Sequence, residues 1–176
     1  MEIVRIPTER IKALAGDNGK TKELIEKKCN VKLAVDEEGE VEITGDSTDI
    51  FFAKDVVKAI GRGFEPRDAL RIVDDNYQFE LIDLKEILRN DKAMTRIKGR
   101  IIGEKGKMKT EIEAATESVI AVYGYTVGII SKMDTMGYAK EAITRLIEGA
   151  EHANVFNYLA KAKKDILVSR LVPGAR

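Results

Sequence analysis

Residues 98–112 read KGRIIGEKGKMKTEI and hold two glycines three positions apart, Gly103 and Gly106, within a cationic stretch. Isoleucines precede the first glycine, while Met108 and Ile112 follow the second at helical spacing. Glycine adopts the positive φ angles that tight connections need, so the pattern predicts a glycine loop that joins one helix to the next.

The same loop occurs a second time, 87 residues earlier, where GDNGK at 16–20 aligns with GEKGK at 103–107. Around each loop the pattern predicts a strand, a short helix running into the glycines, a helix, two strands and a longer helix. In the first copy we expect the first strand at 3–6, the helix after the loop at 20–28, the next two strands at 31–35 and 41–44, and the longer helix at 47–60. In the second copy we expect the first strand at 77–82, the helix after the loop at 107–116, the next two strands at 118–123 and 126–131, and the longer helix at 134–147. The expected caps of the longer helices are Asp46 or Ser47 in the first copy and Asp134 in the second.

These elements predict an α+β protein with one module at 1–62 and another at 77–150. The segment 63–76 is interpreted as a structured joint rather than a flexible linker, because Phe64 and Ile72 require something to pack against. We therefore expect the two modules to be docked together. Residues 151–176 predict a final amphipathic helix at 152–168, with Leu167 among its apolar positions, and a tail, VPGAR, that frays.

Composition restricts the classes of function. Thirty basic and thirty acidic residues give a net charge of zero, so any nucleic-acid surface must be local. A single cysteine, Cys29, and a single histidine, His152, argue against a disulfide framework, a zinc cluster and a nucleophile with its base. Asp74 and Asp75 are interpreted as a solvated helix end or a turn rather than a metal site. Without an apolar leader or spanning stretch, we expect a cytoplasmic protein with no cofactor, no metal and no membrane contact.

Two other interpretations of the glycine loops are weaker. Glycines between helices are commonly no more than turn residues, so one Gly-x-x-Gly alone would indicate little. The first loop also ends in GKT at 19–21, like a phosphate-binding P-loop. That motif would require a glycine in place of Leu14 and a strand before the loop, and neither is present.

The repeated order of elements resembles the type I KH domain, β-α-α-β-β-α, in which two helices and a GXXG loop form one wall of a groove for four nucleotides. The glycines let phosphates approach the main chain, and the following helix offers unpaired N–H donors. The resemblance implies two tandem type I KH domains followed by a C-terminal helix.

The two loops differ in charge. Residues 96–109 hold six cationic residues against Glu104 alone, whereas residues 9–22 hold four against Glu9 and Asp17. Because a carboxylate repels phosphate, we expect the second module to bind RNA and the first to be weaker or to dock protein. The predicted RNA-binding residues are Lys98, Arg100, Ile102, Gly103, Glu104, Lys105, Gly106, Lys107, Lys109, Val119 and Ile120. The weaker or protein-docking loop comprises Gly16, Asp17, Asn18, Gly19 and Lys20.

The opposite wall of the second groove is expected from the strand at 118–123. Val119, Ile120 and Ala121 could offer bases an apolar platform, or could pack in the core, since alternate residues of a strand face opposite sides. Tyr123 and Tyr125 could likewise stack on a base or be ordinary turn residues.

Nearly the whole chain resembles the archaeal form of a ribosome-assembly factor that, in eukaryotes, is the partner of the Nob endonuclease. The resemblance is carried by GRGFEPRDALRIV at 61–73, IKGRIIGEKGKMKTEIEAAT at 97–116, IAVYGYTVGII at 120–130 and GAEHANVFNYLAKAK at 149–163. It implies an adaptor on single-stranded small-subunit rRNA near its 3′ end, with the alpha subunit of translation initiation factor two and the Nob endonuclease as partners. Eukaryotic relatives tend to have a degenerate first module, whereas this chain keeps Gly16 and Gly19.

Two other functions stay open at the level of sequence. A protein-interaction scaffold with KH folds that do not bind RNA is favoured by the zero net charge and opposed by the cationic second loop. A KH subunit of an exosome-type RNA-processing assembly usually adds an OB barrel, and no run of five short strands is visible. An enzyme is not expected.

Overall fold

The computed structural model describes residues 1–172, and the chain divides into two compact units, Met1–Phe79 and Glu80–Arg176. The last four residues of the VPGAR tail lie outside the described residues, so the predicted fraying there does too. Within residues 1–172, no helix has both the length and the apolar character that crossing a bilayer requires.

The first module contains a three-stranded antiparallel sheet in the order β1-β3-β2. Its elements are β1 (Glu2–Arg5), α1 (Ile11–Ala15), α2 (Lys20–Cys29), β2 (Lys32–Val35), β3 (Glu40–Thr44) and α3 (Ser47–Gly61). In β3, Val41 and Ile43 are fully buried while Glu42 between them is exposed, so one face of the sheet packs on the helices.

The joint packs within this first unit. It forms α4 (Pro66–Ala69) and a 3-10 turn over Leu70–Val73. Phe64 and Ile72 are 2% and 4% exposed, and the Phe64 ring meets the edge of Phe79 at 5.9 Å between centroids. The apolar residues of the joint therefore have the packing partner that the sequence required, while the docking of one module on the other stays a prediction.

The second module repeats the arrangement, with a sheet in the order β4-β6-β5. Its elements are β4 (Tyr77–Asp83), α5 (Leu84–Ile87), α6 (Asp91–Ile102), α7 (Lys107–Thr116), β5 (Val119–Tyr123), β6 (Thr126–Lys132), α8 (Met136–Ile147) and α9 (His152–Leu171). Met108, Ile112 and Ala115 are buried on one face of α7, as their spacing predicted. The α+β class and the order of elements are thus confirmed in both modules.

Three local expectations change. Asp134 does not cap α8, which begins at Met136 after the N-cap Thr135. Thr135 is buried and its hydroxyl bonds that of Ser131 at 2.7 Å, so a buried hydroxyl pair closes this turn. The short helix α5 was not predicted, although its cap Asp83 accepts the Lys85 N–H at 2.8 Å. Helix α9 also runs beyond 168, to Leu171.

Helix α9 belongs to the second module, where it packs along α7 and α8. Its buried face is spaced as an amphipathic helix requires and consists of Val155, Leu159, Ala162 and Ile166. Leu167, which the sequence placed among the apolar positions, is 52% exposed.

Candidate nucleic-acid interface

The two glycine loops share one backbone conformation. In the second loop Gly103, Lys105 and Gly106 have φ angles of 75°, 52° and 77°. The equivalent residues of the first loop have φ angles of 70°, 52° and 78°. Because the same three of the four positions lie at positive φ in both copies, the loop is a conformation shared by the two modules rather than a chance turn.

The two glycines of each loop serve different purposes. A Cβ on Gly103 would lie 2.7 Å from the backbone nitrogen of Met108, and one on Gly16 would collide with the hydroxyl of Thr21. A Cβ on Gly106 or Gly19 would meet no atom within 4 Å. The first glycine is therefore required by packing onto the next helix, and the second faces open space where a phosphate can approach the main chain.

The helix that follows the second loop begins without a side-chain cap. The N-cap of α7 is Gly106, and no side chain accepts from the first turn. The N–H of Lys107 donates to the carbonyl of Glu104 in the loop. The first N–H groups of a helix otherwise have no intrahelical partner, so this turn offers donors and a favourable dipole to an anion.

Three of the predicted RNA-binding cations have partners within the second module. Lys98 Nζ donates to the carbonyl of Gly124 at 2.7 Å. The Arg100 guanidinium donates to the carbonyl of Leu146 at 2.9 Å and to that of Ala150, at the end of α8. Lys109 Nζ lies 3.0 Å from the carboxylate of Glu113. These side chains still carry charge, but each is directed toward a partner within the protein.

The exposed cations at the loop are Lys105 and Lys107. Lys105 has no carboxylate within ion-pair distance among the described residues. Lys107 Nζ lies 5.5 Å from the centroid of the Phe156 ring on α9. Ile102, just before the loop, is 36% exposed, and Glu104 is exposed within it. The tip of the second loop therefore presents a cationic surface beside an apolar residue.

Two of the three residues offered as an apolar platform on the opposite wall lie in the core. Ile120 is 2% exposed, pairs with Ile129 and lies in the module core, so its side chain cannot serve as a platform for a base. Ala121 is buried as well, whereas Val119 is half-buried. The period-2 pattern could not decide which face of β5 met the helices, and the structure assigns Ile120 to the core.

An edge-strand contact that the sequence did not predict recurs in both modules. The Glu113 carboxylate accepts the N–H of Ile120 at 2.8 Å, and that of Glu26 accepts the N–H of Leu33 at 2.8 Å. Burial raises the pKa of Glu26, but the Leu33 N–H and Lys22 together outweigh it and the pKa is lowered. The two glutamates align in the repeat, and that alignment was the signal available in the sequence.

The comparisons with known proteins agree with this geometry. A family model described as a eukaryotic type KH domain, type I, matches residues 78–164, and a KH-domain model matches residues 1–59. A KH domain-containing protein of Methanocaldococcus jannaschii is 39% identical over 97% of this chain and 77% of its own length. This chain belongs to the archaeal KH-protein family related to PNO1 and Dim2p.

Two further relatives of this KH protein come from a eukaryote and an archaeon. The pre-rRNA-processing protein PNO1 of Chaetomium thermophilum is 32% identical over 89% of this chain, which spans 63% of that protein. A chain in the crystal structure of the a/eIF2alpha–aDim2p–rRNA complex from Pyrococcus horikoshii is 41% identical, with a TM-score of 0.86 over 93% of this chain and 94% of that one.

The first loop of this KH protein keeps the backbone but not the charge. Asp17 and Asn18 are exposed at its tip, and Lys20 begins α2. The loop thus retains the shape of a phosphate-binding wall, but Asn18 stands where the second loop has Lys105, so the carboxylate of Asp17, unlike that of the aligned Glu104, has no lysine beside it at the tip. Its role as a weaker or protein-docking loop stays a prediction.

The tyrosines at the β5–β6 turn have structural contacts. The Tyr125 ring lies under Lys85, whose Nζ is 4.0 Å from the ring centroid, and the Tyr125 carbonyl accepts the Leu84 N–H at 2.8 Å. The Tyr123 carbonyl accepts the hydroxyl of Thr126 at 3.1 Å. Stacking of either ring on a base stays a prediction.

The remaining reactive groups fit ordinary structural roles. Cys29 is 4% exposed, and burial, followed by the charge of Asp49, raises its pKa to about 11, so the thiol stays protonated. Asp74 accepts the N–H of Asn76 at 2.9 Å in a turn. Within residues 1–172, no three His, Cys, Asp or Glu side chains are grouped to hold a metal ion.

Proposed function

We propose that this protein binds single-stranded ribosomal RNA through the groove of its second KH module and acts in small-subunit rRNA processing. The observation that carries the proposal is the second GXXG loop, where exposed Lys105 lies beside the uncapped first turn of α7. A relative named as a pre-rRNA-processing protein and a related chain in a complex with rRNA support it.

In this mode of binding the backbone of the RNA lies along the loop. Phosphates meet Lys105, Lys107 and the N–H groups of α7, since cations and helix N-termini both favour negative charge. Bases lie across Ile102 toward Val119, the half-buried residue on the opposite wall. The protein acts by occupancy and positions the RNA without chemistry of its own.

The finer proposal concerns the RNA segment and the protein partners. The segment is the 3′ end of the small-subunit rRNA, where the Nob endonuclease cuts, as the sequence resemblance implies. The first module or α9 contacts the alpha subunit of translation initiation factor two, and the related complex that contains a/eIF2alpha supports this partner. Recruiting or restraining the Nob endonuclease is the expected consequence of that occupancy.

The test places the same carboxylate at the same backbone position of the two loops. Lys105 and Asn18 both have a φ of 52°, a conformation that aspartate tolerates, so Lys105→Asp and Asn18→Asp should both fold. Affinity is measured for an RNA copying the 3′ end of small-subunit rRNA and for a scrambled RNA, at two salt concentrations. We expect Lys105→Asp to weaken binding about tenfold or more and Asn18→Asp to have little effect.

Circular dichroism on both variants separates lost binding from lost folding. If the wild type binds neither RNA, or if folded Lys105→Asp binds as well as the wild type, the second loop is not an RNA site. The KH folds would then act as a protein-interaction scaffold. Equal affinity for the two RNAs would mean that the protein binds RNA without preferring the 3′ end of small-subunit rRNA.

A further inference from the structure

A concave site lies on the first module, away from its glycine loop, between β1 and α3. Strand β1 is an edge strand, because in the order β1-β3-β2 it pairs with β3 alone. The site is lined by Ile3, Val4, Arg5, Ile6, Pro7, Lys54, Lys58, Gly61 and Arg62.

The outer edge of β1 presents unpaired backbone groups. Ile6 donates its N–H to the carbonyl of Gly39 at 2.8 Å, and Val4 lies opposite Val41 in the same register. Hydrogen-bonded and non-bonded pairs alternate along an antiparallel ladder, so the groups of Val4 and Ile6 face β3. The N–H and C=O groups of Ile3 and Arg5 therefore point away from the sheet, as a template for another strand.

The rim of this site is cationic. Its lining includes Arg5, Lys54, Lys58 and Arg62 and no acidic residue, in a protein of zero net charge. Two of these cations pair with exposed carboxylates, Lys54 with that of Glu2 at 3.2 Å and Arg5 with that of Glu38 at 3.3 Å. Exposed pairs of this kind contribute little and exchange readily for another anion.

The site also has an apolar component. Ile3 is 51% exposed on the open face of the sheet, whereas Val4 and Ile6 are buried on the face toward α3. A strand added beside β1 would alternate in the same way. Its residues on the helix side would meet Lys54 and Lys58, and those on the open side would lie beside Ile3.

We propose that β1 accepts an extended acidic segment of a partner protein as a fourth strand of the first sheet. The row of backbone donors and acceptors requires a peptide backbone, which a nucleic acid does not offer, and the cationic rim selects acidic side chains. The proposal is independent of the RNA site on the second module and gives the first module a docking surface other than its glycine loop.

The test uses the whole protein and a synthetic peptide, acetyl-EVEVEVE-amide. Binding is followed by NMR and by amide hydrogen exchange at single residues. We expect the Ile3 and Arg5 amides to shift and to gain at least tenfold protection, while the Val4 amide, already bonded to β3, gains none. A peptide N-methylated at its three valines and two inner glutamates keeps its charge but cannot add as a strand, and it should bind at least tenfold more weakly.

A matched pair of charge reversals tests the rim. Lys58→Glu should weaken peptide binding about fivefold or more, whereas Lys28→Glu, which reverses an exposed lysine on α2 outside the site, should not change it. The proposal is overturned if the methylated peptide binds equally well, or if Ile3 and Arg5 gain no protection. It is also overturned if an eight-nucleotide RNA displaces the peptide, or if raising the protein concentration alone protects these amides, since the occupant would then be RNA or a second copy.

Discussion

One backbone position in each loop links conformation to charge. Asn18 and Lys105 occupy equivalent positions at a φ of 52°. Asparagine enters this left-handed region readily, whereas for most other residues it costs about 1–2 kcal/mol. The second loop therefore holds a lysine where an asparagine would be less strained. A strained residue at the tip of a loop is typical of a functional position, and here the gain is an exposed cation.

The glycines of the second loop should differ in their tolerance of alanine. In Gly103→Ala the new Cβ would collide with Met108 in addition to the strain of a φ of 75°. In Gly106→Ala only the positive φ opposes the change, because the surrounding space is open. We expect losses of unfolding free energy of about 3 kcal/mol or more and of about 1 kcal/mol, respectively. Urea denaturation measures both, and equal losses would contradict the separate roles.

At the scale of elements, an arginine in each module donates hydrogen bonds to carbonyl groups at the end of the long helix. Arg10 donates to the carbonyls of Ile60 and Phe64, both at 2.8 Å, and Arg100 makes the same kind of contact at the end of α8. The arginines do not align in the repeat, since Arg100 corresponds to Ala13. Both modules require a cationic donor for the last carbonyls of the long helix, and it comes from the start of α1 in the first module and from the end of α6 in the second.

The end of α9 is attached to α7 by a pair of charges. Glu117, at the left-handed end of α7, accepts from Arg170, which also lies 3.8 Å from Asp134. The hydrogen bond from Arg170 holds the pKa of Glu117 below its ordinary value, against the smaller effect of burial. In the first module the equivalent Asn30 bonds Asp49 at 2.7 Å, so the same position serves a contact inside the module.

This pair predicts that the end of α9 loosens in acid. Because the folded pKa of Glu117 is depressed, its contribution is present above the unfolded value, about 4.3, and is lost as the pH falls through the lower folded value. We expect the amides near Arg170 to lose protection below about pH 4, by less than 1 kcal/mol because the pair is partly exposed. Hydrogen exchange measures this. In Glu117→Gln the amides near Arg170 should be less protected already at neutral pH, and their protection should not fall further in acid. A fall in acid that persists in this variant would show that another group is responsible.

At the scale of the whole molecule, the net charge is zero, so the electrostatic attraction to RNA must come from a few cationic side chains. Of the six cations that the sequence groups around the second loop, Lys98, Arg100 and Lys109 are held by contacts within the protein. Lys105, Lys107 and Arg96 are exposed. RNA binding should therefore release fewer counterions than a count of charges along the sequence suggests.

The salt dependence of RNA affinity distinguishes binding through three cations from binding through all six. With three phosphate contacts, the slope of log K against log salt concentration should be about −2, whereas six contacts would give about −4. Affinities for a single-stranded RNA at four or five salt concentrations provide the slope. Lys105→Ala should reduce its magnitude by about 0.7, and Lys98→Ala should leave it unchanged. A wild-type slope near −4 would show that the internally bonded cations also reach phosphates.

The sequence determined the order of elements, because the apolar periodicity and the glycine pairs are local signals and the repeat supplies each of them twice. The 52° conformation shared by Asn18 and Lys105, the collision at Gly103 and the open space at Gly106 emerged only with the coordinates. Caps and short helices depend on single hydrogen bonds, so the sequence assigned Asp134 wrongly and overlooked α5.

The tertiary structure decided which residues can serve the site. The sequence grouped Lys98 and Arg100 with Lys105 because they are close along the chain, but their partners lie 26 and up to 50 residues away. It could not decide which face of β5 buries Ile120, since a strand pattern does not reveal where the helices lie. The residues that form the loop are thus read from the sequence, whereas the charges left available to RNA depend on packing between distant elements.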